Sequence, residues 1–491
     1  MNGSSNARFE SRSLSRRGFL QNVASGVQGA ALLSLLARDG WADQPETHQH
    51  VNRPGNLISR KPDRDPPARN VIHLFMNGGP SQMDLFDPKP ELDRRHGTAY
   101  FEEIAGEVEN PQVAGALFRS PFKFAQHGES GGWVSEVLPH MAQCIDEIAV
   151  IKSMYTTNLT HEPALFKIHS GQERPGLPSI GAWVTYGLGT ENQNLPAYVV
   201  LDDPQGLPVN NTQSWQSGYL PAVFQGTRFR STGSPVLDLQ PDYREPALVA
   251  DRKRKFLYQL DQWQRELYPE HDRLAARIAS YELAARMQLA ATDALDLSQE
   301  TQQTLDAYGV GNDATDSYGR RCLYARRLVE RGVRYVQLFI EFQIWDNHTS
   351  IEGGLRKACR KTDQPIAALI RDLKQRGLLD QTLVVWGGEF GRLPIAQLKP
   401  GGNESTVGRD HNKNAMVTWM AGGGVKGGTS YGATDELGFS SVENRVSVPD
   451  FHATILHQLG LQYEQLTFLR NGLEERLTGV DPARVVQEVL S

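Results

Sequence analysis

Asp346 and His348 stand one residue apart in the tip Trp345-Asp346-Asn347-His348, just beyond an apolar stretch, Val333 to Ile340. A second apolar stretch, Leu383 to Trp386, runs into Gly387-Gly388-Glu389-Phe390-Gly391-Arg392, about 40 residues after the first tip. Asp410-His411 precedes a third, Ala415 to Met420. Mixed carboxylate and imidazole ligands suit zinc, manganese or iron, and carboxylates also hold calcium or magnesium. A divalent ion with an open position polarises a phosphoryl or sulfuryl oxygen, or acidifies a bound water. Asp346, His348, Glu389 and His411 are therefore the candidate metal ligands. The competing reading makes His348 a cap for the following helix and pairs Glu389 with Arg392. Two earlier apolar runs end in similar residues. Asn77, Ser81 and Asp84 follow Asn70 to Met76, and Thr160 and His161 follow Ile148 to Ser153.

Such tips must be brought to one edge of a sheet. Val333 to Arg392 reads as a β-α-β unit, and parallel α/β sheets bind ligands outside the carboxyl ends of their strands. Strands near 70–76, 148–153, 197–201, 333–340, 383–386 and 415–420 are expected to share one mostly parallel sheet flanked by helices. Helical periodicity is read at Val134–Ile145 despite Pro139, and helices at Ala164–Ser170, Ser179–Leu188 and Phe451–Leu459. Pro246 to Leu305 reads as a helical insertion. Asp316–Arg331 reads as a basic amphipathic helix whose Arg320-Arg321 and Arg326-Arg327 pairs form a solvated face. The long loop Asp202–Pro235 carries Trp215, Tyr219 and Phe224, which either stack on a planar ligand such as a sugar or pack onto the body.

The chain has 491 residues, 39% hydrophobic and 22% charged, ordinary for a globular protein. A net charge of −6 gives no basic footprint for nucleic acid. Three scattered cysteines argue against a disulfide framework and against a Cys-based zinc site. Ser15-Arg16-Arg17-Gly18-Phe19-Leu20 precedes a weakly apolar run, Val23 to Ala37, and matches a twin-arginine export signal. That run is too short and too interrupted for a stable membrane span. Residues 1–42 are expected to be the signal, with cleavage after Ala42, and residues 43–69 an extended linker before a domain over 70–491. The expected destination is the periplasm or the exterior, with the twin-arginine translocase as the partner during export.

HLFMNGGPSQMDLFDPKP, HEPALFKIHSG, PSIGAWVTYGLG, LPAYVVL, WDNH, VVWGGEFGR and GRDHNKNAMVTWMAGGGVKGG together resemble a bacterial, twin-arginine-exported, sulfatase-like family of unknown function in the alkaline phosphatase superfamily. The resemblance implies an alkaline phosphatase-like three-layer α/β/α sandwich. It implies a metal held by Asp346, His348 and His411, and a nucleophile region at Thr160-His161. Asn77 stands where the superfamily has a metal-binding Asp, and Glu389-Phe390 where it has an Asp-His pair, so the second metal position departs from the pattern. No Cys-x-Pro-Ser-Arg or Ser-x-Pro-Ser-Arg run is present, which argues against a standard formylglycine sulfatase. The implied activity is metal-dependent hydrolysis of phosphate or sulfate esters, on a small-molecule or glycan substrate. Thr160 is then the nucleophile candidate, and His161 or Asp84 the general acid or base. The alternative is a non-catalytic protein that holds an anionic glycan in the same cleft.

Overall fold

Nine strands form the central sheet of the computed structural model, which describes residues 52–53, 55–230, 246–267, 278, 282–284, 286–287, 290–397 and 403–491. The twin-arginine segment and much of the expected helical insertion lie outside the described residues. The strands are β1 (Asn70–Phe75), β2 (Ile148–Tyr155), β3 (Tyr198–Leu201), β4 (Thr227–Phe229), β5 (Tyr335–Phe339), β6 (Thr382–Gly387), β7 (Met416–Ala421), β8 (Ser430–Tyr431) and β9 (Val446–Ser447). Their order is β8-β2-β7-β6-β1-β5-β3-β4, with β9 also on β2. All six strands expected from the sequence lie in it.

The central strands β1, β3, β5, β6 and β7 are buried along their whole length, as strands covered on both faces must be. Alternate residues serve different cores. Ile72, Leu74, Val336, Leu338, Val384 and Trp386 join one, built with helices α4 (Asp316–Glu330) and α5 (Ile351–Gln375). Val71, Phe75, Tyr335, Phe339, Leu383 and Val385 join the other, with α1 (His161–Ser170), α2 (Ile180–Leu188) and α6 (Val448–Gln458). This is a three-layer α/β/α sandwich. Between these helices in the sequence lies α3 (Ala247–Leu267).

One strand breaks the parallel pattern. β7 runs antiparallel to both β2 and β6. The start of an antiparallel strand lies at the edge where its parallel neighbours end. Residues just before β7 therefore meet residues just after β1, β2, β5 and β6. This polarity joins His411 to the other tips.

Several local expectations give way. Val134–Ile145 is not a helix: Gly132–Ser135 is a strand paired with Phe124–His127, and a 3-10 turn covers Met141–Glu147. Pro139 lies between the two, where it cannot take part in a helical ladder. Of the four α4 arginines expected on a solvated face, only Arg320 is partly exposed, paired with Asp316 at 3.0 Å. Arg321, Arg326 and Arg327 are buried. Arg326 pairs with Glu300 at 2.7 Å, Glu330 at 2.8 Å and Asp372 at 3.0 Å, and Arg321 pairs with Asp203. Trp215 and Phe224 are buried in the core, and Tyr219 stacks on Phe468, so these aromatics pack onto the body. Residues 55–69 have neither helix nor strand, yet they are tied down: the Arg60 and Ala68 amides donate to Leu188 and Gln458 carbonyls at 2.8 and 2.9 Å.

Candidate metal centre

Four side chains converge at the carboxyl edge of the sheet. His161 opens α1 after β2, Asp346 and His348 follow β5, and His411 precedes β7. One ligand atom from each lies within 4.8 Å of the others. His348 Nε2 is 2.9 Å from Asp346 Oδ1 and 2.9 Å from His411 Nε2. His411 Nε2 is 3.2 Å from Asp346 Oδ1, and His161 Nε2 is 3.3 Å from Asp346 Oδ2. Ligands about 2.0–2.1 Å from one zinc-sized ion stand roughly 3.3 Å apart in a tetrahedron, close to these spacings.

The outer nitrogens show how the rings are held. His161 Nδ1 donates to Glu389 Oε1 at 2.7 Å. His348 Nδ1 donates to Gln397 Oε1 at 2.5 Å, with Asp410 Oδ1 3.8 Å away. His411 Nδ1 faces Glu109 Oε2 at 2.7 Å, an ion-pair contact rather than an aligned hydrogen bond. A proton held at Nδ1 leaves the Nε2 lone pair facing inward, and acceptors of this kind orient metal-bound imidazoles. Glu109, His348, Asp410 and His411 also form a cluster of their own. Its outer members sit behind the rings, so it is better read as the support of the first centre than as a second one. Buried His161 Nε2 has no aligned hydrogen-bond partner. Converging nitrogens beside an ionised carboxylate fit a cation among them.

Electrostatics follow from the same contacts. Burial pushes the Asp346 carboxyl up, but hydrogen bonds from His161, His348 and His411 and the Arg392 charge outweigh it and hold it well below the usual carboxylate range. Burial lowers His161, yet Asp346 and Glu389 outweigh that too and raise it to about 9. The His411 contact holds Glu109 below its ordinary value against a smaller opposing effect of burial.

The backbone around the cluster is close-packed. Gly78 and Gly79 have φ of 111° and 84°. A Cβ on Gly78 would stand 2.5 Å from the Asp346 amide nitrogen, and one on Gly79 2.6 Å from the Phe390 ring. The Gly78 N–H donates to both Glu389 oxygens, at 2.9 and 3.1 Å. Phe390 is buried and its ring lies 4.8 and 4.2 Å from those of His161 and His411, an apolar wall that limits their rotation.

The sequence-predicted residues divide as follows. Asp346, His348 and His411 come together. His161 joins them as a fourth donor rather than standing apart as an acid or base. Glu389 stands behind His161 and is not in the inner set. It does not pair with Arg392; that guanidinium donates to Asp346 Oδ1 at 2.6 Å and to the Gly79 and Arg409 carbonyls. His348 does not cap α5, whose first turn follows Ser350 and has no side-chain cap. Asp84 is fully buried in an ion pair with Arg409 at 2.8 Å and accepts from Ser81, which takes it out of the acid-base role expected of it. Asn77 donates to the Ile340 and Phe342 carbonyls, fastening the end of β5. Thr160 is exposed, with Oγ1 3.5 Å from Glu109 Oε1. Sequence reasoning missed Arg392, Gln397 and Glu109. The only trace of the first was its place two residues beyond Phe390, where the pairing of Gly391–Arg392 with His411–Asn412 sets it beside His411.

Fold and site together define an α/β/α sandwich protein with a three-histidine, one-carboxylate centre at the carboxyl edge of its sheet. Residues 68–490 match the family described as "Protein of unknown function (DUF1501)", and the chain belongs to that family. No curated protein matches it. Similar solved structures include a lipoteichoic acid synthase from Listeria monocytogenes (TM-score 0.38, 9% identity, covering 87% of this chain and 79% of that one). A sulfatase from a Pseudoalteromonas species gives 0.36 and 13%, covering 89% and 71%. An alkaline phosphatase from the Antarctic bacterium TAB5 gives 0.32 and 12%, covering 81% and 99%.

Proposed function

We propose that this protein is an exported metal-dependent hydrolase of phosphate or sulfate esters. The observation that carries the reading is the convergence of His161, Asp346, His348 and His411 within 4.8 Å, each ring backed by an acceptor. Three imidazoles and one carboxylate favour zinc or manganese over calcium or magnesium, which prefer all-oxygen sets. A cation held there would polarise an ester oxygen and acidify water. The chain's own residues supply the rest. His161, His348 and His411, and behind them the Arg392 charge, keep Asp346 ionised. Glu389 holds the proton of His161 at Nδ1. Thr160 Oγ1 is the nucleophile candidate, and Glu109, 3.5 Å away, is placed to accept its proton. A one-metal centre is favoured, because Asn77 is spent on backbone carbonyls and Phe390 carries no ligand atom. Export rests on Arg16-Arg17 and its apolar run. Among the described residues no helix is long and apolar enough to cross a membrane.

The test is turnover of aryl phosphates and aryl sulfates by protein purified after native export, before and after metal removal. Hydrolysis that disappears with a chelator and returns with zinc or manganese supports the proposal. Stoichiometric metal with no turnover of either ester class would move the reading to an anionic-glycan binding protein.

A further inference from the structure

Helix α3 carries a stripe of large apolar side chains in water. Phe256, Trp263 and Leu267 are 60%, 59% and 53% exposed, Val249 and Leu260 are 40% and 38% exposed, and Leu248, Leu257 and Tyr258 beside the stripe are exposed as well. The stripe Val249, Lys253, Phe256, Leu260, Trp263, Leu267 steps by four and three residues in turn, the spacing of the inner seam of a coiled coil. Contiguous exposed apolar surface of this kind marks an interaction site.

The stripe is also symmetric about its centre. Around Tyr258, Val249 mirrors Leu267, Lys253 mirrors Trp263, and Phe256 mirrors Leu260. Laid antiparallel on a second copy, each seam residue meets its mirror image. Three distinct layers form, each occurring twice. Lys253 faces the Trp263 ring, a cation–π arrangement. The flanking positions obey the same symmetry. Arg252 falls opposite Glu266, and Gln259 opposite its own copy on one side; Leu257 meets its own copy on the other. A parallel pair would set Arg252 against Leu257 and Gln259 against Gln264, with no opposite-charge pair between them. A membrane surface would instead favour a polar face rich in Lys and Arg along its length; here the bases gather in Arg252–Lys255 at one end, and Asp251, Asp261 and Glu266 are spread along the helix.

We infer that two copies of this chain associate through α3, packed antiparallel about a two-fold axis near Tyr258. The interface is isologous, since the same surface serves both partners. It is separate from the metal centre and does not depend on the proposed chemistry.

Sedimentation equilibrium of the full chain tests it. Twice the monomer mass is expected for the wild type, and monomer mass for Phe256→Asp and Trp263→Asp. Arg252→Glu alone, and Glu266→Arg alone, each place two like-charge pairs across the seam and weaken dimerisation roughly tenfold. The combined Arg252→Glu/Glu266→Arg chain restores the opposite charges and the dimer. These positions are exposed, so unchanged circular dichroism is expected throughout. A monomeric wild type overturns the inference, including one that binds phosphatidylglycerol vesicles. So does a doubly reversed chain that dimerises no better than the single reversals.

Discussion

Two groups of three histidines lie in this molecule, and their surroundings give them opposite characters. His161, His348 and His411 stand at the edge of the sheet among Asp346, Glu389, Glu109 and Asp410. His73, His169 and His452 lie in the core between the sheet and its covering helices. There His73 meets the Tyr335 hydroxyl at 2.9 Å, His169 the Gln337 side chain at 3.2 Å, and His452 the Ile168 carbonyl at 2.8 Å. Burial drives His73 down to about 3 and His452 to about 4, and holds His169 well below its ordinary value. At His161 the carboxylates outweigh burial and raise it to about 9. The residue type is the same; the neighbouring acids decide whether an imidazole favours a cation or stays neutral.

Removing inner donors should separate the two groups most sharply. A His348→Ala/His411→Ala chain is expected to lose its bound metal to background by elemental analysis while keeping its circular dichroism spectrum. His169→Phe should keep full metal content. Metal retained by the double variant would break the comparison.

Next in size is the support behind the rings. Glu389→Gln should weaken metal affinity by about 10–100-fold, measured by competition with a chelator, because it no longer accepts strongly from His161 Nδ1. An unchanged affinity would remove Glu389 from the orienting role.

The core group should act on folding alone. His169→Ala leaves Gln337 Nε2 without its partner and opens space, and is expected to cost about 1–3 kcal/mol in urea unfolding. Metal affinity of the folded protein should not change.

The smallest effect is in the pH profile, where His161 and the core histidines have opposite signs. In the unfolded chain all six rings titrate near 6.5. His73 and His452 are depressed on folding, so their stabilisation is complete above about 6.5 and is lost as pH falls toward 3 to 4. His161 is raised, so in metal-free protein its stabilisation is complete below about 6.5 and is lost as pH rises through about 9. Urea midpoints against pH should show His452→Gln flattening the acid limb and His161→Gln the alkaline one. Metal uptake should strengthen as pH approaches 9, because His161 must give up a proton.

The sheet was readable because its strands are short apolar runs such as Asn70–Phe75 and Thr382–Gly387, buried on both faces. Asp346 and His348 were readable because they sit together just past such a run. What stayed hidden depends on partners remote in sequence. Asp84 looked like a free acid, since nothing near it announces Arg409. Arg326 looked solvated, since Glu300 and Asp372 come from other segments. His161 looked like an acid or base, because its place in the inner set depends on which strand tips adjoin across the sheet. The antiparallel turn of β7 was equally invisible, although the short ladder Gly391–Arg392 with His411–Asn412 depends on it.

That reversed strand also places the centre in time. His161 leaves the ribosome roughly 250 residues ahead of His411, which at about 5–20 residues per second is a wait of roughly 12–50 s. Throughout that interval the nascent chain holds at most three of the four donors, and β7, which brings the fourth, has yet to enter the sheet between β2 and β6. The full set of donors therefore becomes available only after most of the scaffold that must hold them has been made.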